Sequence, residues 1–377
     1  MKNEIKGKLK SQELADKICE LIISDKLRAD DPILSENRLA QKFGLSRITV
    51  RQAIADLVEK DILYKIKGKG TFVAKGAQLP DSYTQVNGFE KTIALILSNI
   101  SNSYDSNIAR GIGDIAKEKG FHVLLRNTDN SIIEEEKALK CLLDSGIRGI
   151  IVSPAESNPI SPLLKWLCLE FDNIVIINDI IFGVEPVIVS SDDAEGGYIA
   201  TKHLLEQGHR KIAHLRGPLT VMNAHDRETG YKRALVEAGI AVNSDLILGR
   251  RSYAPEEACE NMLKLMKLPE SERPTAVFAA SDDLALGVYQ AAELLGFKIP
   301  DDIALIGYGH LEKTDKQGHH LSTIGQNGYE IGKLAGEALL NKIISPKLGV
   351  NNRHKILVPT ELIIKESSLT QLKENLP

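Results

Sequence analysis

Arg47 and Arg51 stand four residues apart in a stretch where Val50, Ala53, Ile54 and Leu57 repeat at helical spacing. Positions four apart share a helix face, so the two arginines project together, away from the apolar stripe. Two forked guanidiniums near a helix start suit bidentate contact to guanine edges in the major groove, with Ser46 and Thr49 available for phosphates or bases. Ile48 fits a thymine methyl or a packing position equally well. Asn37 and Arg38 follow Ser35 and Glu36 at the start of an earlier helix, where the dipole's positive end suits phosphate. Lys67 and Lys69 lie on the glycine turn Lys67-Gly68-Lys69-Gly70, ahead of Thr71, placed to enter a minor groove or follow the backbone. This chemistry is recognition of duplex DNA.

The elements that must present these residues are local. Leu14, Ile18, Leu21 and Ile22 predict a first helix over about 11–25. Ser35 opens a second, with Leu39 and Phe43 as its apolar side and Gly44 as its stop. Ser46 is the cap of a third, which runs to about Lys60. Residues 62–66 and 71–73 then read as a short hairpin, a wing. The module expected over residues 1–75 carries sixteen lysines and arginines against eleven aspartates and glutamates, although the chain's net charge is −4. A basic module on an acidic body suits a DNA reader with a separate sensing domain.

Residues 76–91 read as a polar linker. Over 92–368 short aliphatic strands alternate with amphipathic helices. The strands predicted at 93–97, 122–125, 149–152, 174–177, 187–189, 212–215, 276–279 and 303–306 look buried on both faces, as parallel strands are. The fold class expected is α/β: a doubly wound, two-lobed domain behind the helix-turn-helix. Ligands in such sheets bind beyond the strands' C-terminal ends. That selects loops carrying Asn102, Tyr104, Asp105, Asp179, Asp192, Arg227, Ser281, Asp282 and His310. A polar cleft with few cations suits a neutral polyol. Tyr104, Trp166, Phe182 and Tyr308 are the aromatics available to stack on a sugar face, although each fits a core or surface position as well.

The stretch LSENRLAQKFGLSRITVRQAIADLVEKDILYKIKGKGTFV resembles the GntR-family winged helix in the order and spacing of its motifs. The resemblance implies that Ser46, Arg47, Thr49 and Arg51 contact an operator. It also implies that Glu36 and Asn37 assist and that Gly68 and Gly70 shape the wing tip. The proline usual before the SEN motif is missing; Leu34 runs directly into Ser35. Three later stretches resemble the LacI/GalR sensor, which has the periplasmic-binding-protein fold: SSDDAEGGYIATKHLLEQGHRKIAHLRGP, the Arg227 motif with GYKRAL, and AVFAASDDLALGVYQAAELLGFKIPDDIALIGYG. LSTIGQN, with Gln326, completes the match. This implies ligand contacts from Arg227 and Asp282, with Asp192 and its neighbours lining the cleft. The acidic residue usual after I-G-[FY] is replaced by Gly309, with His310 next to it, and Asn178-Asp179-Ile180 stands where the family often has an arginine. The combination resembles AraR-type regulators, which join these two modules without a LacI hinge helix.

The function expected is a ligand-responsive repressor of carbohydrate genes, a homodimer on a pseudo-palindromic operator, released by a sugar or a sugar-derived effector. The alternative is a solute-binding protein of the same fold; the basic N-terminal module and the absence of an apolar leader speak against it. No catalytic motif, cofactor site or metal site is expected: Gly111 and Gly113 fall inside a helix pattern, and the His319-His320 pair is isolated. Four scattered cysteines and the lack of a long apolar run suit a cytoplasmic protein with no membrane contact.

Overall fold

A computed structural model describes residues 11–19, 21–22, 27–67, 69–75, 77, 91–145, 147–155, 160–218, 220–249, 251–309, 320–345 and 355–369. The chain divides into two compact units, Met1–Lys91 and Thr92–Pro377.

In the first unit, α1 (residues 11–19) is followed by α2 (Glu36–Phe43) and α3 (Arg47–Glu59). The oxygen of Ser35 caps α2 by accepting from Arg38 N, and that of Ser46 caps α3 by accepting from Thr49 N. Gly44 ends α2 at φ 65°. Leu14, Ile18 and Leu39 pack against the α3 stripe of Val50, Ala53, Ile54 and Leu57. β1 (Leu63–Ile66) and β2 (Gly70–Val73) form the antiparallel wing. The sequence pattern did not signal that residues 30–33 extend it: Ile33 N donates to Thr71 O, and Pro32 bridges Phe72.

The second unit contains two six-stranded sheets. The first has the order β13-β7-β6-β5-β3-β4 and is wholly parallel: β3 (Thr92–Leu97), β4 (His122–Asn127), β5 (Ile150–Val152), β6 (Ile174–Ile177), β7 (Val187–Ser191) and β13 (Lys355–Val358). One face is covered by α4 (Ser103–Glu118) and α11 (Gly328–Ile344), the other by α5 (Ile132–Asp144) and α6 (Pro162–Glu170). β4 departs from the expected double burial: it is an edge strand, and both Leu124 and Leu125 are exposed.

The second sheet has the order β14-β12-β11-β10-β8-β9: β8 (Ile212–Leu215), β9 (Ile247–Leu248), β10 (Ala276–Ala279), β11 (Ala304–Tyr308), β12 (Ser322–Gly325) and β14 (Glu361–Ile363), the last antiparallel to β12. α7 (Asp193–Glu206) and α8 (Met222–Glu237) pack on one side, α9 (Pro255–Leu265) and α10 (Asp282–Leu295) on the other. The chain crosses between lobes three times, from β7 to α7, from β12 to α11 and from β13 to β14. Asp192 N donates to Val358 O and so ties the first crossover to the third. α7 and α8 approach closely at glycines: a Cβ on Gly230 would lie 2.0 Å from the carbonyl oxygen of Ala194.

Candidate operator interface and effector cleft

The α3 stripe turns inward, which leaves Arg47, Ile48 and Arg51 exposed on the outer face. Ile48 is 77% exposed, so the packing alternative fails for it within this unit. Ser46 Oγ and Thr49 Oγ1 lie 2.8 Å apart and hold the α3 start together. Glu36, in the first turn of α2, reaches across to α3 and β1. Its two oxygens accept from Arg51 Nε at 2.9 Å and Lys65 Nζ at 3.0 Å. These bonds, Arg51 first, hold the Glu36 carboxyl below the usual range. The Nε bond orients the Arg51 guanidinium without using the terminal nitrogens that would grip a guanine edge. Asn37, Arg38, Lys67 and Lys69 are exposed. Gly70 pairs with Ile66, and Thr71 is half-buried in β2. Gly68 lies outside the described residues.

In the second unit a recess opens between the lobes, lined by seven polar or charged residues and by Ile180, Ile188 and Met222. Asn178, Asp179, Ser190 and Lys355 line it from the first lobe and its crossover; Asp193, Asn223 and Asp226 line it from the second. Three carboxylates face one lysine, whose Nζ lies 3.9 Å from Asp226 across the cleft. Burial raises the carboxyls of Asp179 and Asp226. The void is about 10 Å³, room for about one water. The lobes must therefore part before anything larger enters.

Arg227 lies just beneath. Its Nε donates to Asp193 Oδ1 at 2.8 Å, its Nη1 donates to Ala280 O at 2.6 Å, and its guanidinium stacks 3.7 Å above the Tyr308 ring. Burial opposes the Arg227 charge, and Asp193, Tyr253 and Tyr308 together more than offset it, so its pKa is raised. Asp282 is fully buried and accepts from Thr323 Oγ1 at 2.7 Å. Gly309 sits above it at φ 133°, a backbone conformation that a side chain would strain. The acidic residue usual at that position is thus disfavoured by the backbone itself.

Two family models match the chain: bacterial regulatory proteins of the gntR family over residues 10–73, and a periplasmic binding protein-like domain over residues 201–368. The arabinose metabolism transcriptional repressor of Geobacillus stearothermophilus is 32% identical over 364 residues, covering 94% of this chain and 96% of that protein. The chain belongs to the family of arabinose metabolism transcriptional repressors. That of Halalkalibacterium halodurans is 29% identical over 374 residues, 97% of each chain. Among solved structures, a LacI family regulator from Enterococcus faecium with bound ribose matches with a TM-score of 0.59 at 27% identity, over 74% of this chain and 98% of that one. The regulator CcpA of Lactococcus lactis matches with a TM-score of 0.63 at 25% identity, over 74% and 99%. This member is a DNA-binding, sugar-responsive repressor, with the two-module α/β architecture expected from its sequence.

Among the described residues, Asp179 alone of the ligand residues singled out from the sequence lines the recess of this repressor. Asn102 and Asp105 are turned on each other at the α4 start: Asp105 N donates to Asn102 Oδ1, and the Asp105 carboxylate accepts from Asn99 N and Asn102 Nδ2. Asp192 caps α7 and Ser281 caps α10. Arg227 and Asp282 stand behind the wall, and Tyr104 and Gln326 bond to wall and crossover residues. His310 lies outside the described residues. Of the possible stacking aromatics, Trp166 packs on a core, Phe182 is exposed, and Tyr308 is buried under Arg227. Sequence reasoning passed over Ser190, Asn223, Asp226 and Lys355 as individual site residues. The first three fall in loops placed at strand ends, so topology offered a weak signal; nothing local marks Lys355. Among the described residues no group of three or more His, Cys, Asp or Glu could hold a metal ion, and no helix is long and apolar enough to cross a membrane.

Proposed function

We propose that this protein represses genes for the use of a neutral monosaccharide, arabinose first among candidates, and leaves its operator when the sugar occupies the cleft. The recess carries the reading. Its three carboxylates, two amides and one serine can satisfy several hydroxyls, while a phosphorylated sugar would meet the like charge of Asp179 and Asp226 with one lysine, Lys355, to offset it, Asp193 being paired with Arg227. The family's name supplies arabinose as the sugar to try. Arg47 and Arg51 read bases, and Lys67 and Lys69 follow the backbone. A homodimer reads two half-sites about one helical turn apart. In this reading the protein turns over no substrate and works in the cytoplasm.

The test is fluorescence anisotropy of the full-length protein on its own upstream DNA, with L-arabinose, D-ribose, D-glucose and ribose 5-phosphate compared. Salt-sensitive, sequence-selective binding that a neutral sugar weakens is the expected result. Operator binding unaffected by every neutral sugar, or weakened only by the phosphate ester, would refute it.

A further inference from the structure

The outer face of α3 carries more than its two arginines. Ile48, 77% exposed, is the most exposed large apolar side chain among the described residues. It takes no part in the core of its unit, where Val50, Ala53, Ile54 and Leu57 pack. Gln52 and Ala55 are exposed on the same helix.

These positions form one strip. At 3.6 residues per turn, Gln52 lies about 40° and Ala55 about 20° from Ile48 around the helix axis. Leu57 falls about 180° away, so Ile48 points straight out from the core. Arg51 lies about 60° to one side, with Arg47 beyond it, so the strip runs beside the arginine pair. The start of the helix is fixed in place. Thr49 N donates to Ser46 Oγ at 3.2 Å, and Arg51 Nε donates to Glu36 Oε2 on α2 at 2.9 Å.

A helix lying in the major groove meets the edges of the bases, and each side chain on this strip suits one edge. Thymine alone presents a methyl there. A branched apolar side chain set against a guanine or cytosine edge would strip water from polar groups and return no hydrogen bond. Adenine presents an acceptor, N7, beside a donor, the N6 amine, and the amide of a glutamine supplies the matching donor and acceptor. A guanidinium, which only donates, matches the two acceptors of guanine instead. Ala55 continues the line with no long side chain to hold the helix off the groove.

We infer that Ile48 and Gln52 are specificity-determining residues that read A·T pairs beside the guanines taken by Arg47 and Arg51, Ile48 on a thymine methyl and Gln52 on an adenine edge. This rests on the reading above in which α3 reads bases.

The test uses the full-length protein and a duplex cut to its hydroxyl-radical footprint on its own upstream DNA. In one half-site, thymines are replaced singly by deoxyuridine, which lacks only the methyl, and adenines singly by 7-deazaadenine, which lacks the N7 acceptor. Anisotropy gives the affinity of wild type, Ile48→Ala and Gln52→Ala for each duplex. Wild type should lose about fourfold at one deoxyuridine position, the worth of one buried methyl, and at least about fivefold at one 7-deazaadenine position. Ile48→Ala should bind the natural duplex at least about fourfold more weakly and no longer respond to that deoxyuridine. Gln52→Ala should no longer respond to that 7-deazaadenine. A wild type indifferent to every analogue would overturn the inference. So would variants that still feel the analogues in full, because the bases would then act through DNA shape. Arg47→Ala and Arg51→Ala separate the two readings. If both keep full selectivity for the upstream DNA, α3 is not the base reader and both readings fall. If they lose it while the analogues have no effect, only the A·T assignment falls.

Discussion

Truncating Arg227 to alanine should destabilise the sensor unit before it alters any ligand contact. The change removes the bond to Asp193, the bond to the Ala280 carbonyl and the stack on Tyr308. It also leaves the Asp193 carboxylate, 4% exposed, without its counter-ion. Breaking a buried ion pair by deleting one partner costs about 3–5 kcal/mol, and the stacking loss overlaps with that figure. A domain of this size loses roughly 2–4 °C in Tm per kcal/mol, so the sensor transition should fall by about 6–20 °C. Circular dichroism melts of wild type and Arg227→Ala measure it. A companion pair, Arg227→Met with Asp193→Asn, removes both charges and should recover much of the loss. Operator binding at low temperature should persist, because the winged helix has its own core. An Arg227→Ala sensor that melts within about 2 °C of wild type would refute the reasoning and return the guanidinium to the ligand.

Glu36→Ala should lower operator selectivity about fivefold while raising affinity for random DNA, because it frees Arg51 and Lys65 and removes one negative charge; anisotropy on both DNAs, over a salt series, reads the two effects separately. His214 is fully buried between Tyr231 and Phe278, and burial holds its pKa at about 4, against about 6.5 when unfolded. The unfolded chain therefore binds the proton first, so stability is complete above about pH 6.5 and falls by up to about 3 kcal/mol as the pH drops to about 4. His214→Phe should flatten the urea midpoint over that window, and an unchanged slope would contradict the assignment. Gly230→Ala places a Cβ against the Ala194 carbonyl and should cost about 1–3 kcal/mol by forcing α7 from α8; a wild-type melt would show that the helices part freely.

The DNA-reading half was legible because its signals are local. Ser35 and Ser46 announce helix starts through bonds three residues long, Gly44 announces a stop, and the stripe from Val50 to Leu57 tells which way Arg47 and Arg51 face. Eight of the twelve strands described in the sensor were legible for the same reason, as were the loops that carry polar groups; β9, β12, β13 and β14 were not among the strands expected. β4 misled because an aliphatic run does not say whether its strand lies at the centre or the edge of a sheet. Glu36 could be placed on α2, but its grip on Arg51 and Lys65 comes from three elements meeting in space.

The cleft belongs to tertiary structure. Asn178, Ser190, Asn223, Asp226 and Lys355 come together only because three crossovers bring two lobes face to face, and no spacing in the chain encodes that meeting. The same packing turned Arg227 and Asp282 inward, where Asp193, Ala280 and Thr323 occupy them. By itself the sequence determined which residues are chemically able to hold DNA and a polyol, since those abilities reside in side chains and local backbone. Which of them face the sugar, and which hold the wall in place, was decided by long-range burial and the pairing that burial demands.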